Sequence, residues 1–261
     1  MNIFRIAWTY LRIGMLNELQ YRVNFFIQLL ESFIAIALGL IGLSLVFQQV
    51  DTLAGWSRYE LLAVMGVHIL MGGIIRAVVQ PNMNRFMADV QQGTLDFALT
   101  KPVDAQFLVS VREFSFWQLV DAVVGIIVLI IALFQLQNAI SLWQALAFGI
   151  ALILGGIMIY CVYFIVTALV FWIIRVGDIV ELFQGIYAAG RWPVTIYPDW
   201  MRTTLTFLVP VAFAVTVPAE ALTNRLTSTT LLGAFGMTLF LLLLTRGIWK
   251  LGLRNYAGAS A

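Results

Sequence analysis

Residues 24–47 read NFFIQLLESFIAIALGLIGLSLVF, an apolar run interrupted by a single charged side chain, Glu31. A helix of ~20 mostly apolar residues is long enough to cross the hydrocarbon core of a bilayer. The apolar residues are continuous rather than alternating, which predicts a helix and not a strand of a membrane barrel. Because backbone groups in hydrocarbon must be hydrogen-bonded within the protein, a helix is also the fold that lipid permits.

The composition of the whole chain agrees with this interpretation. Its residues are 62% hydrophobic and 11% charged, with a mean hydropathy of +0.95. A soluble domain has roughly 45–50% apolar and about 25% charged residues. The net charge of +2 is too small to indicate a nucleic-acid partner. The single cysteine, Cys161, excludes a disulfide framework within the chain and a multi-cysteine metal site.

Further apolar runs extend the pattern along the chain. They predict spans at about 60–80, ending at Pro81, and at about 115–135, 143–174 and 229–249. Another span begins near Asp178 and weakens at 190–193. We therefore expect an all-α integral membrane protein with six transmembrane helices, forming one domain over residues 1–261.

Residues 1–22 predict an amphipathic helix before the first span. On a helix, Arg5, Thr9 and Arg12 fall on one narrow stripe, with Trp8 and Leu11 away from it. That pattern suits a helix lying in the membrane interface. An N-terminal extension packed along the bundle fits it equally well.

The basic residues predict the orientation, because cytoplasmic loops carry an excess of Lys and Arg. If both termini are cytoplasmic, Arg58, Arg202 and Arg225 lie outside, and Arg191 is ambiguous. The inside then holds the larger set, which is Arg5, Arg12, Arg22, Arg85, Lys101, Arg112, Arg175, Arg246, Lys250 and Arg254.

Residues 198–222 interrupt the regular pattern of spans. The stretch TLTFLVPVAFAVTVPAEA at 204–221 is apolar enough for the membrane but contains Pro210 and Pro218. Proline removes a backbone donor and clashes with the preceding helical turn. We therefore expect a re-entrant helical hairpin before the last span, with its irregular backbone covered by protein or lining a cavity.

The largest predicted cytoplasmic connection covers residues 82–113. We expect Gly93 to end one short helix, Thr94 to cap another, and Lys101-Pro102 to terminate that one, because the residue before a proline disfavours the helical conformation. A loop that only joined two spans would be far shorter. The segment is either a docking surface for a partner or a self-packed loop, and the apolar residues expected to be exposed on it are Phe86, Leu95, Phe97 and Leu99.

Two stretches resemble a known family. The loop sequence GTLDFALTKPVDAQFLVSVRE at 93–113 is similar to the cytoplasmic loop of ABC transporter permeases of the type-2 exporter class, above all the bacterial six-span subgroup of unknown substrate. The segment GRWPVTIYPDWMRTTLTFLVPVAFAVTVPAEAL at 190–222 looks like the late segment of the same permeases. The resemblance extends over nearly the whole chain.

The resemblance implies a permease subunit that exports a small amphiphile, drug or lipid-like substrate across the bacterial plasma (inner) membrane. Its partners would be an identical or homologous second permease, membrane lipid, and two separately encoded ATP-binding cassette ATPases that bind ATP and Mg. The chain has no GxxxxGK[ST] phosphate loop. We therefore expect no catalytic residue, cofactor or metal in it, and energy from the partner ATPase.

The resemblance also assigns roles along the chain. The counterpart of the coupling helix would lie at about 84–100, and the re-entrant segment would close the outer end of the pathway. The outer gate residues implied are Pro210 and Pro218. The loop residues implied in ATPase coupling are Arg85, Phe86, Gly93, Thr94, Leu95, Asp96, Lys101 and Pro102.

Polar side chains within the spans are costly in lipid and are therefore candidates for a substrate pathway. On the first span Asn24, Gln28, Glu31 and Ser32 share one helical face. One interpretation is an acidic inward vestibule for cationic amphiphiles; the other is ion pairing of the acidic residues with Arg76 and Arg175. The pathway candidates are Glu31, His68, Asp121 and Glu181.

The single histidine, His68, lies midway along the second predicted span. One histidine without further ligands makes no metal site. It is a proton relay, a substrate contact or a packed core residue.

Two other function classes stand as alternatives. An ion-gradient-driven secondary transporter or channel often has internal repeats and broken helices in both halves. This chain has one broken region, at 190–220, and no clear repeat. An intramembrane enzyme needs a nucleophile–base pair or metal ligands, and one histidine and one cysteine argue against it.

Overall fold

The computed structural model describes residues 3–18, 22–136, 140–173 and 176–256. Within these ranges every regular element is helical. The helices are α1 (Ile3–Glu18), α2 (Arg22–Phe47), α3 (Arg58–Ile74), α4 (Gln80–Gln91), α5 (Asp96–Leu99), α6 (Ala105–Ser110), α7 (Leu119–Leu136), α8 (Leu142–Ala168), α9 (Gly177–Ala188), α10 (Asp199–Thr203), α11 (Val217–Leu222) and α12 (Ser228–Asn255).

Five stretches of helix are long and apolar enough to cross a membrane. A bent pair, Asp199–Leu208 and Ala212–Leu222, meets at 79° and supplies a sixth membrane segment if it counts as one. The prediction of an all-α membrane protein is therefore confirmed. The five long stretches are Val23–Phe47, Arg58–Gln91, Phe116–Leu136, Leu142–Phe171 and Ser228–Asn255.

The span predicted to begin near Asp178 is a short helix. α9 has 12 residues and ends in a 3₁₀ turn at Ala189–Arg191. At 1.5 Å per residue it is about 18 Å long, less than the ~30 Å of a bilayer core. This agrees with the predicted weakening at 190–193.

The predicted end of the second span at Pro81 is wrong. Helical structure continues for 34 residues from Arg58 to Gln91, through a π-helical turn at Ile75–Val79. Proline cannot donate to the carbonyl four residues before it, which here belongs to Ala77. The backbone N–H of Ser115 donates to that carbonyl at 2.9 Å. A contact from a distant part of the chain therefore satisfies the group that the proline leaves free.

Three prolines follow a π-helical turn at the same spacing. Pro81, Pro210 and Pro218 each stand two residues after such a turn, and the residue before each proline donates to the carbonyl five residues back. The wider turn relieves the clash between the proline ring and the preceding carbonyl. The predicted break occurs at Pro210, where Val209 is extended (φ −122°, ψ 91°). Pro218 lies within α11 and does not break it.

Glycines let the helices of the core approach closely. A Cβ placed on Gly73 would stand 2.4 Å from the backbone nitrogen of Ala122, and one on Gly125 would stand 2.3 Å from that of Leu70. α3 and α7 therefore pack backbone against backbone, as small residues allow in membrane helices. Gly155 of α8 makes a similar approach to the second half of the bent pair.

Two polar and aromatic clusters mark the ends of the bundle. At the end carrying residues 92–115, which we call the loop end, Phe86 is fully buried and packs against Phe164, Phe171 and Trp249, with centroid distances of 5.4, 5.7 and 5.6 Å. At the opposite end, the far end, Arg225 pairs with Glu60 at 2.8 Å.

The far-end contacts fasten three connections of the chain together. Arg225 donates to both oxygens of Glu60 and, at 2.7 Å, to the carbonyl of Gly55. Its guanidinium lies over the ring of Trp56, 4.7 Å from the centroid. The indole N–H of Trp56 donates to the hydroxyl of Thr195 at 3.0 Å. Arginine suits this position because it combines paired hydrogen bonds with stacking on an aromatic face.

The predicted N-terminal amphipathic helix is present as α1. It contacts the loop end through Gly14, which lies against the backbone of Phe114, and through Tyr10, whose hydroxyl accepts from Lys101 at 3.2 Å. Trp8 is 66% exposed. An apolar face left open beside the bundle suits the membrane interface. The side chain of Arg5 lies outside the described residues.

Candidate functional site: a charged cavity and a loop surface

A cavity of about 360 Å³ lies between α2, α3, the start of α7 and the turn after α9. This volume falls within the ~300–1,000 Å³ typical of ligand pockets. Its wall combines apolar side chains with charges of both signs. The lining residues are Gln28, Glu31, Ser32, Ala35, Ile36, Met65, His68, Ile69, Arg76, Gln118, Asp121 and Arg191.

Asp121 is the centre of the hydrogen bonds in this cavity. Its carboxylate accepts from Arg76 Nη2 at 2.5 Å, from Gln28 Nε2 at 3.1 Å and from the hydroxyl of Ser32. The Asp121 side chain is 7% exposed and that of Arg76 is 39% exposed. A buried charge is tolerable when it is paired and its remaining lone pairs are hydrogen-bonded. The polar face of α2 that carries Gln28 and Ser32 therefore contacts Asp121 on α7.

Of the two interpretations of the acidic residues, ion pairing with arginine holds for Asp121. Arg76, predicted as a partner, holds its carboxylate, whereas Arg175 lies outside the described residues. Because the guanidinium neutralises the carboxylate, Asp121 contributes little negative charge to the cavity.

Glu31 differs from Asp121 although both line the cavity. Within the described ranges, Glu31 makes no hydrogen bond or ion pair. It also borders an adjoining cavity of about 270 Å³ toward the loop end, which shares Gln28 and Gln118 with the first. Glu31 therefore presents an unpaired carboxylate where the two cavities meet.

His68 is packed on one face and borders the cavity on the other. Its ring stacks on Tyr187 with a centroid distance of 4.8 Å, and the hydroxyl of Tyr187 donates to the His68 carbonyl at 3.1 Å. The buried Nδ1 atom has no hydrogen-bond partner among the described residues. His68 is therefore a packed core residue that also forms part of the cavity wall.

Arg191 is the charged residue of this cavity for which the sequence pattern predicted no role. The 3₁₀ turn that ends α9 carries it to the cavity, where it lies within electrostatic range of His68. Gly190 permits the approach, since a Cβ there would stand 2.3 Å from a Val211 methyl group. The only sequence signal was the Gly-Arg-Trp-Pro stretch that breaks the predicted span.

Glu181 is not part of this cavity. It lies on α9 with an exposed side chain and does not appear among the lining residues, and Asp178 one turn earlier is exposed too. The structure therefore brings together Glu31, His68 and Asp121 from the predicted set and leaves Glu181 apart.

The loop surface is built from the turn after α4. Gly93 has φ +71°, a left-handed conformation that glycine adopts without strain, and α4 ends just before it at Gln91. Thr94 does not cap the next helix as predicted. Leu95 occupies the N-cap position of α5, and the Thr94 hydroxyl donates back to the Asp89 carboxylate at 3.1 Å.

Two of the apolar side chains expected to be exposed on this loop are buried. Phe86 and Leu95 are both 0% exposed, and Leu99 is partly buried against the core. Their burial excludes them from a docking surface and makes them part of the scaffold. Phe97 on α5 is 73% exposed, so the prediction holds for this residue.

Asp89 holds the loop to α4, a role that the sequence pattern missed. Its carboxylate is 3% exposed and pairs with Arg85 at 3.2 Å and with Arg112. Its backbone carbonyl accepts from the N–H groups of Thr94 and Leu95 at 2.8 and 3.2 Å. The Arg–x–x–x–Asp spacing on α4 was a visible signal for one of these pairs, but Arg112 is distant in sequence.

Two further contacts tie the loop to other helices. Asp104 caps α6 and pairs with Arg246 of α12 at 2.6 Å. The hydrogen bond from Arg246 lowers the pKa of Asp104, with a smaller contribution from the Phe107 backbone N–H. Because both side chains are more than 40% exposed, solvent screens this pair. Lys101 reaches Tyr10 of α1.

The comparisons with known proteins identify the family. A family model described as ABC-2 family transporter protein matches residues 33–260. No curated protein and no solved structure matches the chain. Members of this family form the membrane component of transporters and work with an ATP-binding cassette ATPase. The chain belongs to the ABC-2 family of transporter proteins.

Proposed function

We propose that this chain is the permease subunit of an ATP-driven exporter whose ATPase docks on the exposed face of α5. The observation that carries the proposal is Phe97, which is 73% exposed while its neighbours Leu95 and Ala98 are buried. An exposed aromatic residue on a rigid element is the usual anchor of a protein interface.

The rigidity of the loop supports this role. Asp89 fastens the start of the loop, and Asp104 fastens its second half to α12. A docking force applied at α5 is therefore transmitted to α4 and α12 rather than absorbed by a mobile connection. Arg85 and Lys101 on the same loop segment are exposed, and two cationic side chains suit the polar rim of an interface.

The remaining parts of the proposal follow from the family and from the arrangement of the sites. The cavity is the substrate pathway, with Glu31, His68 and Asp121 on its wall. The bend at Pro210, together with Pro218, closes the outer end. The chain pairs with an identical or homologous permease and two ATPases in a bacterial inner membrane, with both termini in the cytoplasm. The direction of transport is outward.

The test is co-purification with a candidate ATPase encoded beside the permease gene. Full burial of a Phe side chain is worth about 1.5–3 kcal/mol, so we expect Phe97→Ala to weaken the complex by roughly tenfold or more. The matched control is Phe134→Ala, because Phe134 is 78% exposed on α7 toward the far end. This control should leave the complex intact.

ATP hydrolysis and transport by the reconstituted complex provide the second measurement. Phe97→Ala should lower substrate-stimulated hydrolysis and transport together. If no ATPase co-purifies, or if both variants weaken the complex equally, the docking proposal is wrong.

A further inference from the structure

The charges of the cavity wall differ from the acidic vestibule that was one of the two interpretations of the sequence. Asp121 is occupied by Arg76, Gln28 and Ser32. This leaves Glu31 as the carboxylate on the wall without a partner among the described residues. A second charge is also unpaired, and it is positive.

That second charge is Arg191. It lines the same cavity and makes no ion pair with a described residue. Arg191 lies within electrostatic range of His68, whereas Arg76, which is also near His68, is paired with Asp121. Glu31 lies where the cavity meets its smaller neighbour toward the loop end. The wall thus offers one free anionic group and one free cationic group.

We infer that the cavity binds a zwitterionic amphiphile, with Glu31 facing its cationic group and Arg191 facing its anionic group. This inference rests on the proposed function as a permease and names its substrate class. Glu31 lies within a membrane-spanning stretch and Arg191 lines the same cavity, and an unpaired charge in such a place is costly. A ligand with complementary charges offsets that cost for both at once, whereas a simple cation would satisfy Glu31 and leave Arg191 unpaired.

The apolar part of the wall explains why the ligand is an amphiphile. Ala35, Ile36, Met65 and Ile69 line the cavity beside the charges. This apolar part of the wall would accommodate a short hydrocarbon chain beside the charged groups.

The test is equilibrium binding to the purified full chain in nanodiscs without any ATPase. Four probes share a hexyl chain and differ in charge: hexylphosphocholine, hexyltrimethylammonium, hexyl phosphate and hexyl glucoside. Isothermal titration calorimetry should give hexylphosphocholine a Kd at least about tenfold lower than the other three, a factor that corresponds to 1.4 kcal/mol.

Two variants test which residue binds which charged group of the ligand. Glu31→Gln should remove the preference for hexylphosphocholine over hexyl phosphate, and Arg191→Gln should remove its preference over hexyltrimethylammonium. Glu181→Gln is the matched control, since Glu181 is an exposed carboxylate outside the cavity. It should leave all four affinities unchanged.

Three results would overturn the inference. Hexyltrimethylammonium binding as tightly as the zwitterion would restore the cationic vestibule. Equal binding of hexyl glucoside, or affinities that neither variant changes, would mean that the cavity does not select its ligand by charge. Because no ATPase is present, these results are independent of docking: a chain that prefers the zwitterion but purifies without an ATPase refutes the exporter proposal alone.

Discussion

The ion pairs of Asp89 and Asp104 allow the same substitution to be compared in a buried and an exposed setting. The Asp89 side chain is 3% exposed, and Arg112 beside it is 15% exposed. Removing one partner of a buried pair costs about 3–5 kcal/mol, because the other charge is left uncompensated. Arg85 is 55% exposed and stays solvated. We therefore expect Asp89→Asn to destabilise the protein by a smaller amount, about 2–3 kcal/mol.

Asp104→Asn removes a carboxylate of the same loop whose side chain is 43% exposed. Exposed pairs contribute about 0–1 kcal/mol. For a protein of this size 1 kcal/mol shifts Tm by roughly 2–4 °C. Thermal unfolding followed by tryptophan fluorescence in detergent should therefore show a shift of about 4–12 °C for Asp89→Asn and at most ~4 °C for Asp104→Asn. Equal shifts, or a larger one for Asp104→Asn, would refute the conclusion that the buried carboxylate of Asp89 is what fastens the loop to α4.

Two further predictions concern pH and helix packing. Because the pKa of Asp104 in the folded protein lies below its ordinary value of 3.8, the pair with Arg246 stabilises the fold above that pH and stops doing so as the pH falls through the lowered pKa. The difference in Tm between the native protein and Asp104→Asn should be constant from pH 7 to 5, decline as the pH falls below 3.8, and vanish only below the lowered pKa of the folded protein; a difference that grows with acidity would contradict it. Gly73→Ala should destabilise the protein by at least about 2 kcal/mol, because its Cβ would collide with the Ala122 backbone, whereas Gly149→Ala meets nothing within 4 Å and should be neutral or stabilising. Equal Tm values for the two alanine variants would show that α3 and α7 are not in close backbone contact.

The predictable part of the fold is the part that depends on local pattern. Continuous apolar runs identify the spanning helices, because lipid leaves a chain few other structures. The end of the second span was mispredicted because the carbonyl of Ala77 is satisfied by Ser115, which no local pattern around Pro81 reveals. The bend at Pro210 was predictable from the sequence, but the continuation of the helix through Pro218 was not.

The candidate sites divide in the same way. The shared face of Gln28, Glu31 and Ser32 was visible in the sequence, whereas the partner that completes it lies on α7. Phe86 and Leu95 appear exposed in a polar loop sequence, yet both are buried in the structure. Arg191 reaches the cavity only because α9 is short. In the first two cases packing between distant segments decided the outcome, and in the third it was the length of one helix.

The uninterrupted helix from Arg58 to Gln91 has a mechanical consequence. Its 34 residues measure about 50 Å, longer than a bilayer core is thick. One rod therefore carries Glu60 at the far end, Arg76 at the cavity and Asp89 at the loop. A tilt of this rod about a point near the cavity would move Asp89 and Glu60 together, in opposite directions, without any intermediate element. The π-helical turn at Ile75–Val79, which contains Arg76, is the expected pivot, since its wider ring of hydrogen bonds is the irregular point along the rod.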